Sequence, residues 1–498
     1  MKPKALIVTH GNDLEIWNIV LNLVESYVKL GVVVEILYMS TVVKFQDAYN
    51  RKILKFARVE SPEIPVLNFL KESGISVYEA TAYVEELNLE FPTSEIQESI
   101  EESVRSTLIS MFNRETPPIN RRYVKLKTYF QSEAKQTFQV ILNVSSIHGP
   151  FKEINVVNGR FPYQRSVLEA AKFVSSKACS FERGTYESEI PRGLSSLDRY
   201  CNSSNFWHEE FPATNRIPRQ RELIRRSFHE KASIRDERAH NWLRDRRRAG
   251  GSNIFRENWR RHFKISNKYV AFFSSSIDEF AELGPEWKEA KWKTQWEAFS
   301  ELIPLVRDEG YEIVLRIHPN LRNKHKSERN LVRSILKDLC LQFPYLIVID
   351  AGSKVDSYSL VENASAVIVW SSTIGLESSL LGVPTACLGS CEYDLVADVE
   401  RWLQIGDVDV KKLLKKSVDT SMAATFISGI YMFDKPLLPL LSRTQLEISK
   451  YGKGIPLLAN RWAFRGNNRL INLISIFLPR HVFIALRKVI RSIVWYKN

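Results

Sequence analysis

The chain has 498 residues, of which 44% are hydrophobic and 26% charged, a balance typical of a globular protein and too long for one ordinary domain. Its five cysteines form no Cys-x-x-Cys pair, which argues against a disulfide framework or a structural zinc and suits a reducing compartment. The formal net charge of +13 favours anionic partners such as a membrane surface, a nucleic acid or a phosphorylated substrate.

The N-terminal segment predicts a β-α-β unit. "ALIVT" is a short apolar run, residues 14–30 repeat apolar groups at helical spacing up to Gly31, and "VVVEILY" predicts the next strand. His10 and Asp13 therefore fall in the loop after the first strand. The opening ten residues lack the apolar stretch of a secretion signal, and the sequence contains no run of about 18 to 20 apolar residues that would span a membrane.

A second strand-loop-helix pattern follows in "KEINVVNGRFPYQRSVLEAAKF", with Asn158, Gly159 and Arg160 as the turn. "KACSFERG" then predicts a short strand that ends in a charged loop containing Glu182 and Arg183.

The arginine-rich stretch at 215–264 predicts one or two helices ending at Gly250 and Gly251. Because acidic residues alternate with the arginines, we expect a solvated helix face rather than a nucleic-acid surface, and no nucleic-acid partner.

The second half alternates strands with helices. "KYVAFFSSS", "YEIVLRIHP", "YLIVIDA", "SAVIVWSS" and "PTACLG" are nearly continuous apolar runs, which predicts a parallel sheet covered on both faces. The fold class is therefore α/β, with an N-terminal domain at 1–264, a second domain at 265–440 and a helical tail at 441–498.

Two polar clusters follow strands of the second sheet. His318 and Pro319 (the His-Pro motif) end "EIVLRI", and Ser371, Ser372 and Thr373 (the hydroxyl triplet) end "AVIVW". Ligands of parallel doubly wound sheets bind outside the carboxyl ends of the strands, so both clusters are expected to line one crevice.

The hydroxyl triplet also opens a predicted helix, whose unpaired N–H groups suit a phosphate. Gly375 would allow close approach of the backbone. Glu377 falls past the third helical position, so it is not a capping-box acid and is free to accept hydrogen bonds from ribose hydroxyls.

The segments that contain both clusters are "RIHP" and "DSYSLVENASAVIVWSSTIGLESSLLGVP". They resemble the nucleotide-binding domain of GT-B glycosyltransferases of the bacterial capsule and surface-polysaccharide type, including Kdo-transferase-like and polysialyltransferase-like groups. "VVNGRF", "RSVLEAAK" and "FERG" resemble the acceptor-side domain of the same group. The resemblance covers most of residues 150–395. It implies a GT-B-like fold of two Rossmann-like domains facing a cleft.

The resemblance also implies a function: transfer of a sugar from a nucleotide-activated donor to a growing capsular or surface polysaccharide or a lipid-linked glycan. His318 and the hydroxyl triplet would hold the donor phosphate, beside Pro319 and Gly375, and Glu377 would hold the ribose. A CMP-sugar is the favoured donor, with a UDP-sugar as the alternative.

An inverting transfer needs a general base from the N-terminal domain. Asp13 is the first candidate, Glu182 its competitor and His10 the third. Four other residues are expected at the acceptor or the cleft: Asn158, Gly159, Arg160 and Arg183.

No metal or other cofactor is predicted. "DVD" at 407–409 looks like a metal-binding Asp-x-Asp, but it immediately precedes "VKKLLKK", so helix capping is the favoured interpretation.

Residues 461–498 form a basic, apolar tail broken by Pro479 and ending in Trp495 and Tyr496. This pattern favours an amphipathic helix on an anionic membrane surface, with a terminal helix packed on the protein as the alternative. The expected location is the cytoplasm, peripheral on the inner face of the cytoplasmic membrane.

Three other functions stay open. A transferase of CDP-activated polyol phosphate, as in teichoic-acid synthesis, can share the His-Pro motif and the serines. A nucleotide-sugar 2-epimerase has a similar fold but needs more acids and bases around the sugar. A catalytically inactive GT-B scaffold would bind partners through its basic faces.

Overall fold

The computed structural model describes eleven segments of the chain, namely 2–10, 14–39, 63–84, 90–112, 114, 117–183, 205–209, 216–249, 259–265, 268–276 and 283–436. They divide into two compact units. Unit 1 comprises the described residues of Met1–Glu101, Thr128–Pro212 and Phe433–Asn498, and unit 2 those of Glu102–Lys127 and Ala213–Met432.

The described residues contain thirteen strands in two sheets. They are β1 (Lys4–Thr9), β2 (Val33–Tyr38), β3 (Ser76–Glu79), β4 (Glu153–Val157), β5 (Lys177–Arg183), β6 (Asn205–Glu209), β7 (Tyr269–Phe273), β8 (Glu312–Arg316), β9 (Leu346–Ile349), β10 (Ala366–Val369), β11 (Thr385–Cys387), β12 (Glu400–Arg401) and β13 (Asp434–Pro436).

The α-helices of the same residues complete the two units. They are α1 (Leu14–Lys29), α2 (Glu63–Glu72), α3 (Ser94–Phe112), α4 (Arg121–His148), α5 (Pro162–Phe173), α6 (Arg216–Ser227), α7 (Ala232–Ala249), α8 (Trp259–His262), α9 (Gln295–Asp308), α10 (Lys326–Gln342), α11 (Ser357–Glu362), α12 (Ile374–Leu380), α13 (Val410–Lys415) and α14 (Thr420–Phe433).

The sheet of unit 1 has the strand order β13-β6-β5-β4-β1-β2-β3. The five strands from β5 to β3 run parallel, whereas β6 is antiparallel to both of its neighbours. The core side chains of β1 and β4 pack with those of α1 and α5 in one hydrophobic cluster.

The sheet of unit 2 has the order β12-β11-β10-β7-β8-β9 and is parallel throughout. Every residue of β7 and of β10 is buried. Strands that alternate with helices and are buried on both faces produce the continuous apolar runs seen in the sequence. Two α/β units, each built around a mainly parallel sheet, confirm the predicted GT-B-like fold class.

The predicted domain boundary at residue 264 differs from the division in the structure. The described residues of 213–264 group with unit 2, as do those of 102–127. The helices α6 and α7 therefore belong with the sheet that carries the His-Pro motif and the hydroxyl triplet. The predicted tail at 441–498, including its membrane-facing segment 461–498, lies outside the described residues.

The expectation that the arginine-rich stretch is a solvated face is met only in part, because several of its arginines are exposed whereas others pair with buried carboxylates. Arg216 is 1% exposed and pairs with the buried carboxylate of Asp394, and Arg246 pairs with Glu377 at 3.0 Å. These carboxylates are distant in sequence, so the pattern within the stretch did not reveal them. The predicted end of the helices is confirmed, since α7 ends at Ala249.

Candidate functional site

Three polar segments lie side by side at the carboxyl edge of the unit 2 sheet. The His-Pro motif follows β8, the hydroxyl triplet follows β10, and Ser274, Ser275 and Ser276 (the serine segment) follow β7. Because β7 is hydrogen-bonded to both β8 and β10, the serine segment is the spatial neighbour of both motifs. The sequence alone identifies "SSS" only as the end of a strand, because strand order is not visible in a sequence.

The serine segment joins the other two through its hydroxyl oxygens. Ser274 Oγ accepts the backbone N–H of His318 at 2.9 Å, and Ser275 Oγ accepts that of Ser371 at 3.0 Å. Ser276 Oγ accepts from the side-chain amide of Asn320 at 3.2 Å. Both motifs are thus tied to the end of one central strand.

Gln295, the first residue of α9, is hydrogen-bonded to the backbone of this segment. Its side-chain Oε1 accepts the N–H of Ser275 at 2.8 Å, and its Nε2 donates to the carbonyl oxygen of Ser275 at 3.2 Å. Gln295 is 1% exposed, and Thr294 caps its helix by accepting the N–H of Glu297. A buried amide that satisfies both main-chain groups of one residue fixes that residue in place.

His318 is half-buried, and its ring orientation is set locally. Its Nδ1 accepts the backbone N–H of Asn320 at 3.2 Å. In the neutral ring the other nitrogen, Nε2, then carries the proton and acts as a donor. The ring is thus oriented by a hydrogen bond within its own loop.

The hydroxyl triplet runs from the interior to the surface. Ser371 is buried, Ser372 is half-buried and Thr373 is exposed. Thr373 is the N-cap of α12 but makes no side-chain cap bond, whereas Ser372 Oγ accepts the N–H of Ile374 at 3.4 Å. Two of the three hydroxyl groups are thus within reach of solvent.

Tyr393 contacts the backbone of the hydroxyl triplet. Its hydroxyl donates to the carbonyl oxygen of Ser372. A Cβ atom at Gly375 would overlap that hydroxyl, and one at Gly389 would lie 2.7 Å from Ser371 Oγ. The close approach predicted at Gly375 is therefore made by a tyrosine.

Glu377 lies at the fourth position of α12, as the register predicted. The structure places its carboxylate in the interior, 3% exposed, where it accepts from Arg246 Nε at 3.0 Å and bonds the Tyr358 side chain. Burial raises the pKa of Glu377, and the nearby Arg246 opposes that rise. Contact with a ribose would require this pair to open.

A pocket opens on the His318 side of the serine segment. All three serines, Gln295 and His318 line it, together with one basic and one acidic residue, Lys324 and Glu328. The apolar lining residues are Trp296, Ile317, Leu321 and Val332. The hydroxyl triplet does not contribute to this lining. The pocket thus adjoins one half of the predicted donor site.

Arg316, the last residue of β8, braces the same edge. Its guanidinium donates to the carbonyl oxygens of Asp350 and Ser353, the latter at 3.2 Å. Burial lowers the pKa of Arg316 to about 10. The arginine side chain thus fixes the backbone of the loop after β9, next to the His-Pro motif.

The candidates of unit 1 follow neighbouring strands of its own sheet. His10, after β1, is 1% exposed, and its Nδ1 lies 3.1 Å from the hydroxyl of Tyr163. Asn158 and Gly159, after β4, have φ values of 62° and 87°, so the predicted turn is present. Arg165 Nε donates to the Gly159 carbonyl, and Arg160 N–H to Asn158 Oδ1.

Two further candidates are placed differently from the expectation. The backbone of Glu182 and Arg183 belongs to β5, where it pairs with β6, so neither residue lies in a loop after the strand. Asp13 lies outside the described residues. His10 and the turn at 158–160 share the carboxyl edge of adjacent strands β1 and β4.

The acids of "DVD" cap helical turns. Asp409 is the N-cap of α13 and accepts the N–H of Lys412 at 2.8 Å, and Asp407 accepts that of Leu403 at 3.0 Å. The predicted capping role is confirmed.

Among the described residues, none of the helices is long and apolar enough to cross a membrane.

Comparison with known proteins gives one family match. Residues 294–429 match the family described as capsule polysaccharide biosynthesis protein. The match includes the His-Pro motif and the hydroxyl triplet, and it confirms the predicted resemblance to the capsule polysaccharide group over that region. No curated protein matches the chain.

Solved structures show distant similarity. The beta Kdo 2,4 transferase of Thermosulfurimonas dismutans KpsC has 12% identity, with 56% of this chain and 79% of that chain covered and a TM-score of 0.33. The beta Kdo 2,7 transferase of the same protein has 14% identity, coverage of 65% and 86%, and a TM-score of 0.32. The UDP-GlcNAc 2-epimerase of Methanocaldococcus jannaschii has 14% identity, coverage of 87% and 100%, and a TM-score of 0.28.

Proposed function

We propose that the chain is a glycosyltransferase of capsule polysaccharide synthesis that uses a nucleotide-activated sugar. One observation carries the proposal: His318 and Ser371 are both anchored, through their backbone N–H groups, to adjacent serines at the end of β7. An imidazole donor and a set of hydroxyl groups are thereby held together at the edge where parallel sheets bind ligands.

The chemistry of these groups suits a phosphate. His318 Nε2–H, with its tautomer set by Asn320, and the hydroxyls of Ser372 and Thr373 are donors that an anionic oxygen accepts. In the transfer, the bond between the sugar and the phosphate breaks and negative charge grows on the departing phosphate. Donors fixed before the reaction stabilise that charge without reorganising.

The family match supports the biological assignment. It covers residues 294–429 and therefore both motifs, as well as Gln295 and Glu377. The donor is a CMP-sugar, with a UDP-sugar as the alternative, and the acceptor is a growing capsular or surface polysaccharide or a lipid-linked glycan.

The general base comes from unit 1 in this proposal. Asp13 is the first candidate, Glu182 the second and His10 the third. The base removes the proton from the acceptor hydroxyl as that oxygen attacks the sugar carbon. Asn158, Gly159, Arg160 and Arg183 are proposed to contact the acceptor.

Two further parts of the proposal concern the surroundings of the reaction. The transfer needs no metal ion, since the donors named above contact the phosphate directly. Residues 461–498 hold the enzyme on the inner face of an anionic membrane, where a lipid-linked acceptor is available.

A ligand screen tests the proposal. CMP, UDP, GDP and CDP, the sugars activated by CMP and UDP, and CDP-activated polyols are titrated against the full chain while heat capacity or intrinsic fluorescence follows unfolding. We expect CMP to raise the unfolding temperature, with and without EDTA, and His318→Ala to reduce that shift. A shift with CDP-polyols in place of CMP-sugars would instead favour the polyol phosphate transferase. No shift with any nucleotide contradicts the proposal.

A further inference from the structure

The residues that set the spacing of the donor site lie outside both motifs. The serine segment carries one hydrogen bond to the His-Pro motif, one to the hydroxyl triplet and one to Asn320, which orients the His318 ring. A displacement of Ser275 would therefore move both halves of the site. The contacts that hold Ser275 in place therefore set the distance between the imidazole of His318 and the hydroxyl triplet.

Gln295 is the side chain that fixes it. Its amide engages both the N–H and the carbonyl oxygen of Ser275, at 2.8 and 3.2 Å, and it is 1% exposed. Asparagine is the only other side chain that carries a neutral amide donor and acceptor, and it is one methylene shorter. Glutamate would keep the acceptor but lose the donor, and methionine would lose both.

We infer that Gln295 is a positioning residue for the phosphate of the donor, acting through Ser275 on the His-Pro motif and the hydroxyl triplet. The inference rests on the proposed function, because it assigns Gln295 to the same phosphate site. Gln295 does not touch the phosphate in this account. Its effect passes through the hydrogen bond from the Ser371 N–H to Ser275 Oγ and through that from the His318 N–H to Ser274 Oγ.

Amide hydrogen exchange in the unliganded chain tests the bracing directly. In Gln295→Met we expect exchange at His318 and Ser371 to accelerate by about tenfold, as their hydrogen bonds open more often. Exchange at Ile317 and Leu388, whose N–H groups donate to Ile349 and Val369 of neighbouring strands, should stay within about twofold. Gln404→Met, at an exposed glutamine of the same unit, is the matched control.

A double-mutant cycle tests the link to the ligand. Gln295→Met and Ser275→Ala should each weaken CMP binding by about tenfold, and the double variant should lose little more than either alone, because both break one chain of contacts. Gln295→Glu should fall between the wild type and Gln295→Met. An independent structural loss would instead make the two effects multiply.

The outcomes are separable from those of the ligand screen. Unchanged exchange at both amides in Gln295→Met overturns the inference, even if CMP binds the wild type. Faster exchange with unchanged CMP affinity also overturns it, because the brace then does not serve the phosphate. If the wild type binds no nucleotide, the proposed function fails, and the donor role of Gln295 fails with it, while the exchange result still reports on the brace.

Discussion

The carboxyl edges of the two sheets are built in different ways. In unit 2, three loops are joined by side-chain oxygens that accept backbone N–H groups, so His318 and Ser371 are fixed by the same segment. In unit 1, the described edge consists of a left-handed turn at Asn158 and Gly159 and the ring of His10 packed at 4.4 Å on Tyr163. The two edges therefore suit different tasks, namely binding of a phosphate and removal of a proton.

A phosphate site needs several donors with fixed spacing before the ligand arrives, and unit 2 has them. A general base needs one titratable group that can meet the acceptor, and such a group does not need a dense network around it. This difference supports the proposal that the donor binds to unit 2 and that unit 1 supplies the general base. The following predictions change one edge at a time.

The largest effect is expected from the base. Asp13→Asn or Glu182→Gln, whichever removes the true base, should lower kcat by on the order of 10²- to 10⁴-fold while leaving the Kd of CMP unchanged. Single-turnover assays with a CMP-sugar and nucleotide titration measure the two quantities. Glu72→Gln, at an exposed acid of unit 1, is the control. Full activity in both variants would refute the assignment of the base to Asp13 or Glu182.

Loss of the imidazole should act on binding instead. His318→Ala removes a hydrogen bond to a charged oxygen, which corresponds to about 10- to 100-fold in CMP affinity. His325→Ala is the matched control, because His325 caps α10 at an exposed position of the same unit. Equal CMP affinity in the wild type and His318→Ala would contradict the proposal that His318 of unit 2 binds the phosphate.

Stability of unit 1 should depend on pH through Glu133. Burial raises the pKa of this carboxyl from 4.5 to about 8. Between those pH values the folded chain holds a proton that the unfolded chain has released, so stability falls as pH rises through that window. Glu133→Gln should raise the free energy of unfolding at pH 8 by on the order of 2 kcal/mol and change it little at pH 4.5. Thermal unfolding at both pH values measures this, and an identical pH dependence in the variant would contradict it.

The smallest effect is expected at the hydroxyl triplet. Ser372→Ala removes one neutral donor and should weaken CMP binding by about fivefold to tenfold. Ser378→Ala, on the helix that follows the triplet, is the control, because Ser378 is buried and its Oγ donates to the Ile374 carbonyl. If Ser378→Ala weakens CMP binding as much as Ser372→Ala, the triplet has no specific role.

Much of the unit 2 edge could be predicted from sequence. The apolar runs before His318 and Ser371 mark buried strands, and the ends of parallel strands meet at one edge. The role of Ser274, Ser275 and Gln295 could not be predicted, because strand order places β7 between β8 and β10 although β7 comes first in the chain. Nothing local in "SSS" reveals which backbone groups it will meet.

The arginine-rich helices show the opposite case, where a local pattern misled. Arg216 and Arg246 alternate with acids along α6 and α7, as solvated helices do. Their partners, the buried carboxylates of Asp394 and Glu377, come from segments more than 100 residues later. Glu377 was correctly placed on its helix by register, but its partner could not be predicted.

A crystal structure of the chain with CMP bound tests the central claim most directly. The account predicts that the CMP phosphate lies within hydrogen-bonding distance of His318 Nε2 and of at least one hydroxyl of the triplet, with Ser275 still held by Gln295. CMP bound away from this edge, or with its phosphate in contact with neither His318 nor the triplet, would contradict it.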